Sequence, residues 1–248
     1  MLTGILPRGM LVLGCALALS ACVTLPPNAP HSPQDPYERW NRGVYKFNDV
    51  IDRGVMKPVA RAYLHVVPHF ARIGVSNFVS NLRTPTVMFN DALQGKGRAA
   101  LEDLGRFLVN TTAGVGGLFD PASQMGLQRN DEDFGQTLGK WGVHAGPFLE
   151  LPLLGPSDMR DGPAKIVDIF TYPPTYLHNS YVRYGLWGLT FIDERASLLS
   201  LDDTLKHTYD PYTFIRNAYL QHRAYLVADG KVADDAPLVD PEADMPTP

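Results

Sequence analysis

Residues 58–70 and 99–112 have helical spacing but few charges, and their apolar residues fall on more than one side of the helix. A helix that is apolar all round is either deep core or faces lipid. The foldable part of the chain, about residues 35–228, is short for hiding many such helices from solvent. The pattern alone leaves both solutions open, so the ends of the chain have to decide between them.

The N-terminus reads MLTGILPRGMLVLGCALALSAC, with Arg8 as its one charge and an apolar run from Met10 to Leu19. A short basic start, an apolar core and small residues before a cleavage point make a secretory signal. The apolar run is too short to span a bilayer well. Leu19-Ser20-Ala21-Cys22 resembles the bacterial lipobox, which implies cleavage before Cys22 and lipid attachment to its thiol. Cys15 is a poor second candidate, because its apolar core is short and Leu13 is bulky. Loss of residues 1–21 leaves Cys22 as the one cysteine, so no intramolecular disulfide can staple the body. Loss of Arg8 takes the formal charge from −4 to −5. An acidic chain without a basic cluster argues against nucleic acid as a partner. Residues 22–34 form a proline-rich tether, and residues 229–248, with six acids and one lysine, read as a solvated acidic tail. A lipid anchor favours lipid contact over deep core for the greasy helices.

Within the body the periodicity is helical. Asp35-Pro36-Tyr37-Glu38 has the composition of a helix start, with Asp35 as cap and Glu38 at the capping-box position. Tyr37, Trp40, Val44, Phe47 and Ile51 then follow at spacings of three and four, and Gly54 is the expected stop. Pro58 and Pro68 read as restarts, and Pro85 as the start of a further short segment. Leu101, Leu104 and Leu108 make another stripe. Asp210-Pro211 opens a last helix that carries Ile215, Tyr219 and Leu226 and stops at Gly230. Strand-like alternation is scarce, so the fold class is all-α, a single domain of seven to ten helices with prolines at the corners.

The middle of the chain changes character. Glycines stand at 114, 116, 117, 126, 135, 139, 142, 146 and 155, among Phe119, Phe134, Trp141 and Phe148. Gly114-Val115-Gly116-Gly117 lacks the third glycine of a dinucleotide fingerprint and follows no strand. No phosphate-binding loop with its lysine, no nucleophile elbow and no H-E-x-x-H occurs. His65 and His69 are four apart, but Pro68 intervenes and no acid is near. Asp131-Glu132-Asp133 reads as a solvated loop, since adjacent acids point apart. Nothing marks an active site, so no enzyme activity, metal or cofactor is expected.

The order of these segments resembles the VacJ/MlaA family of outer-membrane lipoproteins. The resemblance rests on DPYERWNRGVYKFND at 35–49, KPVARAYLHVVP at 57–68, GVSNFVSNLRTPTVMFNDALQGK at 74–96 and RFLVNTTAGVGGLFDPAS at 106–123. It continues through EDFGQTLGKWGVHAGPFLELPLLGPSDMRD at 132–161 and DPYTFIRNAYLQHRAYL at 210–226. It implies a ring-like helical body in the periplasmic leaflet of the outer membrane, with a central passage for phospholipid. Phospholipid misplaced in the outer leaflet would pass to a soluble periplasmic lipid-binding protein and on to an inner-membrane ABC complex, alongside a trimeric porin. Val23 after Cys22, in place of Asp, implies outer-membrane sorting. Phe47 and Asn48 on the first helix, and Gly114, Gly116, Gly117 and Phe119 in the glycine segment, are the candidate passage or gating residues. The alternatives are a porin scaffold that moves no lipid and a membrane-bound lipid hydrolase.

Overall fold

The computed structural model describes residues 33–231, so the signal segment, Cys22 and most of the tether and tail lie outside the described residues. The fold is helical. α1 (Glu38–Ile51) runs through a π-turn over Asp52–Met56 into α2 (Lys57–Val66). Gly54 therefore does not stop the helix and Pro58 does not restart it. Pro58 has no N–H to give the carbonyl four residues back, and the wider turn, with Lys57 N–H donating to Asp52 O, carries the chain across that gap.

Pro68 does break the chain. Val67 is pushed to an extended ψ of 120°, and α3 (His69–Leu93) begins immediately after the proline. Pro85 stands inside α3 and begins nothing. Gly95, with φ of 76°, turns α3 into α4 (Gly97–Thr112), and these two helices pack along one another more extensively than any other pair.

Two short helices follow, α5 (Pro121–Gln124) and α6 (Phe134–Lys140), each capped by an aspartate: Asp120 accepts from Ser123 N–H, and Asp133 from Gln136 N–H. The sequence reading missed an antiparallel hairpin of β1 (Phe148–Leu151) and β2 (Gly155–Asp158), paired Phe148 to Asp158 and Leu151 to Gly155. α7 (Asp161–Thr171), α8 (Ser180–Ser197), α9 (Asp202–His207) and α10 (Pro211–Val227) complete the described residues, joined by 3₁₀ turns at Pro173–Tyr176 and Leu199–Leu201.

Asp35 caps no helix. It is fully buried and accepts from Asn41 Nδ2 at 2.7 Å, from the Tyr212 hydroxyl and from Arg216 Nη1 at 3.5 Å, which fastens the start of the body to α10. Arg42 forks onto Asp210, and Arg195 forks onto Asp52 at 2.6 and 2.9 Å while reaching Asp202 at 2.8 Å. These charge-assisted forks tie the first helices of the described residues to the last ones. Asp229, the first acid of the expected solvated tail, is held between Lys96 and Lys140.

The interior is the reverse of a water-soluble core. Its buried apolar side chains are few and mostly small: Val44, Val79, Val87 and four alanines, with Tyr172, and with Phe148 held edge-on between Tyr212 and Tyr219. Asn41, Asn90, Asp91, Asp103, Arg106, Asn110, Asp158 and Arg216 are buried with them. Meanwhile Val66 is 75 % exposed, Phe70 78 % and Leu101 69 %. The stripe of α4 is real but faces outward: Leu101, Leu104 and Leu108 are exposed, and Asp103, Arg106 and Asn110 turn inward.

Candidate functional site

The glycine segment folds back on the end of α4. Gly114 N–H donates to Val109 O, Gly116 N–H to Thr111 O at 2.9 Å, Gly117 N–H to Asn110 O at 2.8 Å and Phe119 N–H to Gly114 O. The amides a phosphate would need are spent on backbone carbonyls, so this is no nucleotide cradle. Two of the glycines are there for closeness. A Cβ on Gly114 would lie 2.3 Å from Asn110 O and 2.4 Å from Phe119 O, and one on Gly117 would lie 2.5 Å from Asn81 Cβ. Gly116 has open space around it but a φ of 71°. Phe119 at the end of the segment is 63 % exposed, and Leu118 beside it is also exposed.

Next to this corner lies a partly open cleft. α3 supplies Asn77, Ser80, Asn81, Arg83 and Thr84, and α4 supplies Asp103, Arg106 and Asn110. The segment between α5 and α6 adds Arg129, Asn130 and Asp131, with Asp120 at the corner and Val87 as the one apolar residue of the wall. Helical spacing produces this: positions 103, 106 and 110 share one face of α4, and 77, 80, 81 and 84 one face of α3.

Hydrogen bonds hold the wall in shape. Arg106 donates to Asp120 at 2.9 Å, to Ser123 Oγ at 3.1 Å and to Leu127 O at 2.7 Å. Burial would raise the Asp120 carboxyl, but bonds from Ser123, Asn110 and Arg106 outweigh it and hold the group at about 2. Asn77 Nδ2 donates to Leu118 O, Asn81 Nδ2 to Thr111 Oγ1 and Asn130 Nδ2 to Asp103 Oδ2. Arg83 reaches Glu194 at 3.2 Å and Asp131 at 3.8 Å. Asn81 is 5 % exposed, and its Oδ1 has no donor among the described residues.

Behind the cleft wall, burial pushes the fully buried Asp91 carboxyl up to about 8, and the neighbouring Asp103 carboxylate adds to the shift. Neither Asp91 oxygen has a hydrogen-bond donor among the described residues, so the charged form is disfavoured there.

The other predicted pair sits elsewhere. Asn48 Nδ2 donates to Glu150 Oε1 and Leu151 O, both at 2.9 Å, and its Oδ1 accepts from Leu153 N–H at 2.8 Å. Asn48 is a clamp on the hairpin turn, where Leu153 has a φ of 64°. Phe47 stands next to it, 38 % exposed. Among the described residues no hydrogen bond joins this clamp to the glycine corner. The acidic run is not a solvated loop either: Glu132 pairs with Lys96 at 2.7 Å, Asp133 caps α6 and takes the Arg223 fork, and only Asp131 is exposed.

Sequence reasoning missed Asn77, Asn81, Arg106, Asn110 and Arg129. The available signal was a polar stripe at helical spacing within otherwise greasy helices.

Comparison with known proteins agrees with this architecture. The sequence profile of the MlaA lipoprotein family matches residues 33–226. The intermembrane phospholipid transport system lipoprotein MlaA of Escherichia coli is 39% identical over 202 residues, 80% of each chain. The protein of the same name from Haemophilus influenzae is 33% identical over 224 residues, 88% of this chain and 90% of that one. A solved structure described as "Structural basis for maintenance of bacterial outer membrane lipid asymmetry" superposes with a TM-score of 0.69 at 38% identity, covering 78% of this chain and 98% of that chain.

Proposed function

Because the chain belongs to the MlaA lipoprotein family, we propose that it is an outer-membrane lipoprotein that withdraws phospholipid from the outer leaflet and preserves lipid asymmetry. One observation of the structure carries this reading: the apolar side chains face out and the polar ones face in. The outward surface suits acyl chains, and the inward one suits headgroups that must cross a greasy layer. Among the described residues no helix is long and apolar enough to cross a membrane, so the body suits insertion into one leaflet better than spanning. The relatives named as intermembrane phospholipid transport lipoproteins support the same reading.

Cys22 carries the lipid anchor, since each buried CH₂ of an acyl chain adds about 0.8 kcal/mol to membrane attachment. Phospholipid leaves towards a periplasmic lipid-binding protein, and a trimeric porin seats the body in the membrane. Phe47, Asn48, Gly114, Gly116, Gly117 and Phe119 line or gate the passage. Replacing Gly117 with valine then impairs transport, because the new side chain meets Asn81.

The test is the lipid content of the purified chain. Phospholipid retained in defined stoichiometry is the expected result. A lipid-free protein would leave the porin-scaffold reading, and release of fatty acid from added phospholipid would mean a hydrolase.

A further inference from the structure

The polar cleft between α3 and α4 has features beyond a polar interior. Its guanidinium groups are Arg83, Arg106 and Arg129, and its carboxylates are Asp103, Asp120 and Asp131. The lining is charge-balanced, which gives a net anion no field to enter and gives a dipolar ion partners at both ends. Among the described residues Arg129 has no carboxylate partner, so its planar fork is free for a phosphate. Asn81, 5 % exposed, supplies a buried acceptor whose donor is missing. A buried acceptor left unpaired is unfavourable, and a ligand N–H relieves it.

Leu118 is exposed, with its carbonyl tied to α3 by Asn77, and Gly117 packs its backbone against Asn81. A polar cleft beside an exposed leucine offers an amphiphile contacts of both kinds.

We propose that this cleft is a headgroup site for a zwitterionic phospholipid with a primary ammonium, of the phosphatidylethanolamine class. Arg129 meets the phosphate, the ammonium donates to Asn81 Oδ1, and the acyl chains leave over Leu118. A choline headgroup fits less well. It has no N–H to give Asn81, and quaternary ammonium is ordinarily held by aromatic rings, of which the cleft wall has none. This inference rests on the lipid-transport reading and goes further by naming the headgroup and its place.

The test uses the full-length lipoprotein, stripped of lipid in detergent and offered mixed micelles of phosphatidylethanolamine, phosphatidylcholine and phosphatidylglycerol in equal amounts. Bound lipid is quantified by mass spectrometry. The expected result is at least a five-fold enrichment of the ethanolamine lipid. Arg129→Gln is expected to lower its retention to a similar extent without changing the melting temperature, since Arg129 is exposed and makes no ion pair within the body. Asn81→Asp, which keeps the size and adds a charge facing the ammonium, is expected to retain the preference over choline lipid. Equal retention of all three lipids, untouched by Arg129→Gln, overturns the headgroup site and leaves transport standing. Retention of no phospholipid overturns both.

Discussion

Asp91→Asn separates a deliberately buried proton from a structural accident. Asp91 is fully buried on α3 against Asp103 on α4, and its carboxyl is raised from 3.8 to about 8, by burial first and by Asp103 second. In the unfolded chain the same carboxyl loses its proton near 4. Between these values the folded protein holds a proton that the unfolded chain has released, so stability falls as pH rises across that window. The full slope for one group is about 1.4 kcal/mol per pH unit. At pH 7, three units above the unfolded value, the ceiling is about 4 kcal/mol, and sharing charge with Asp103 reduces it to about 2 kcal/mol. Asparagine keeps the size of the side chain and cannot ionise. The two proteins should therefore melt alike at pH 4.5, and the variant should melt about 5 °C higher at pH 7.5, at roughly 2–4 °C per kcal/mol for a body of this size. Differential scanning fluorimetry in detergent across pH 4.5 to 8 reads this directly. Parallel melting curves for the two proteins at every pH would refute a stored proton at Asp91.

Other perturbations read other parts of the fold. Gly114→Ala forces a Cβ to within 2.4 Å of two backbone carbonyls and should cost about 3 kcal/mol, whereas Gly116→Ala meets open space and should cost about 1 kcal/mol for its positive φ; chemical denaturation that ranks them the other way would contradict the corner geometry. Asn48→Ala removes all three bonds clamping the hairpin turn, and limited proteolysis should then cut near Leu153 at least ten-fold faster, with little change elsewhere. Arg195→Lys loses the fork on Asp52 and should lower stability by about 1–2 kcal/mol, a loss that Asp52→Asn should largely reproduce.

Much of the helical order was legible because periodicity survives burial of either sign. The stripe from Tyr37 to Ile51 is one helix, and Pro68 is a true break because the residue before a proline is driven out of helical ψ. Pro85 was misread because a long helix packed along α4 tolerates one missing donor. The hairpin was invisible because its strands are four residues each and one inward residue is Glu150, 3 % exposed and pushed up to about 7 by burial. Most instructive is the reversal on α4. Leu101, Leu104 and Leu108 look like a core stripe, and Asp103, Arg106 and Asn110 like a solvated face, yet the structure exchanges them. Periodicity reports that a helix has two faces, and the surrounding solvent decides which one is turned inward. The cleft was missed for the same reason, since its residues carry the signature of a wet surface.

The central claim is that this lipoprotein draws phospholipid out of the outer leaflet. Outer-leaflet phospholipid on intact cells tests it most directly, in a strain lacking the gene and in the same strain given the wild-type chain or the Cys22→Ala chain. The account predicts surface phospholipid in the deleted strain, its disappearance with the wild-type chain, and its persistence with the Cys22→Ala chain. A surface free of phospholipid in the deleted strain, even under outer-membrane stress, would contradict it.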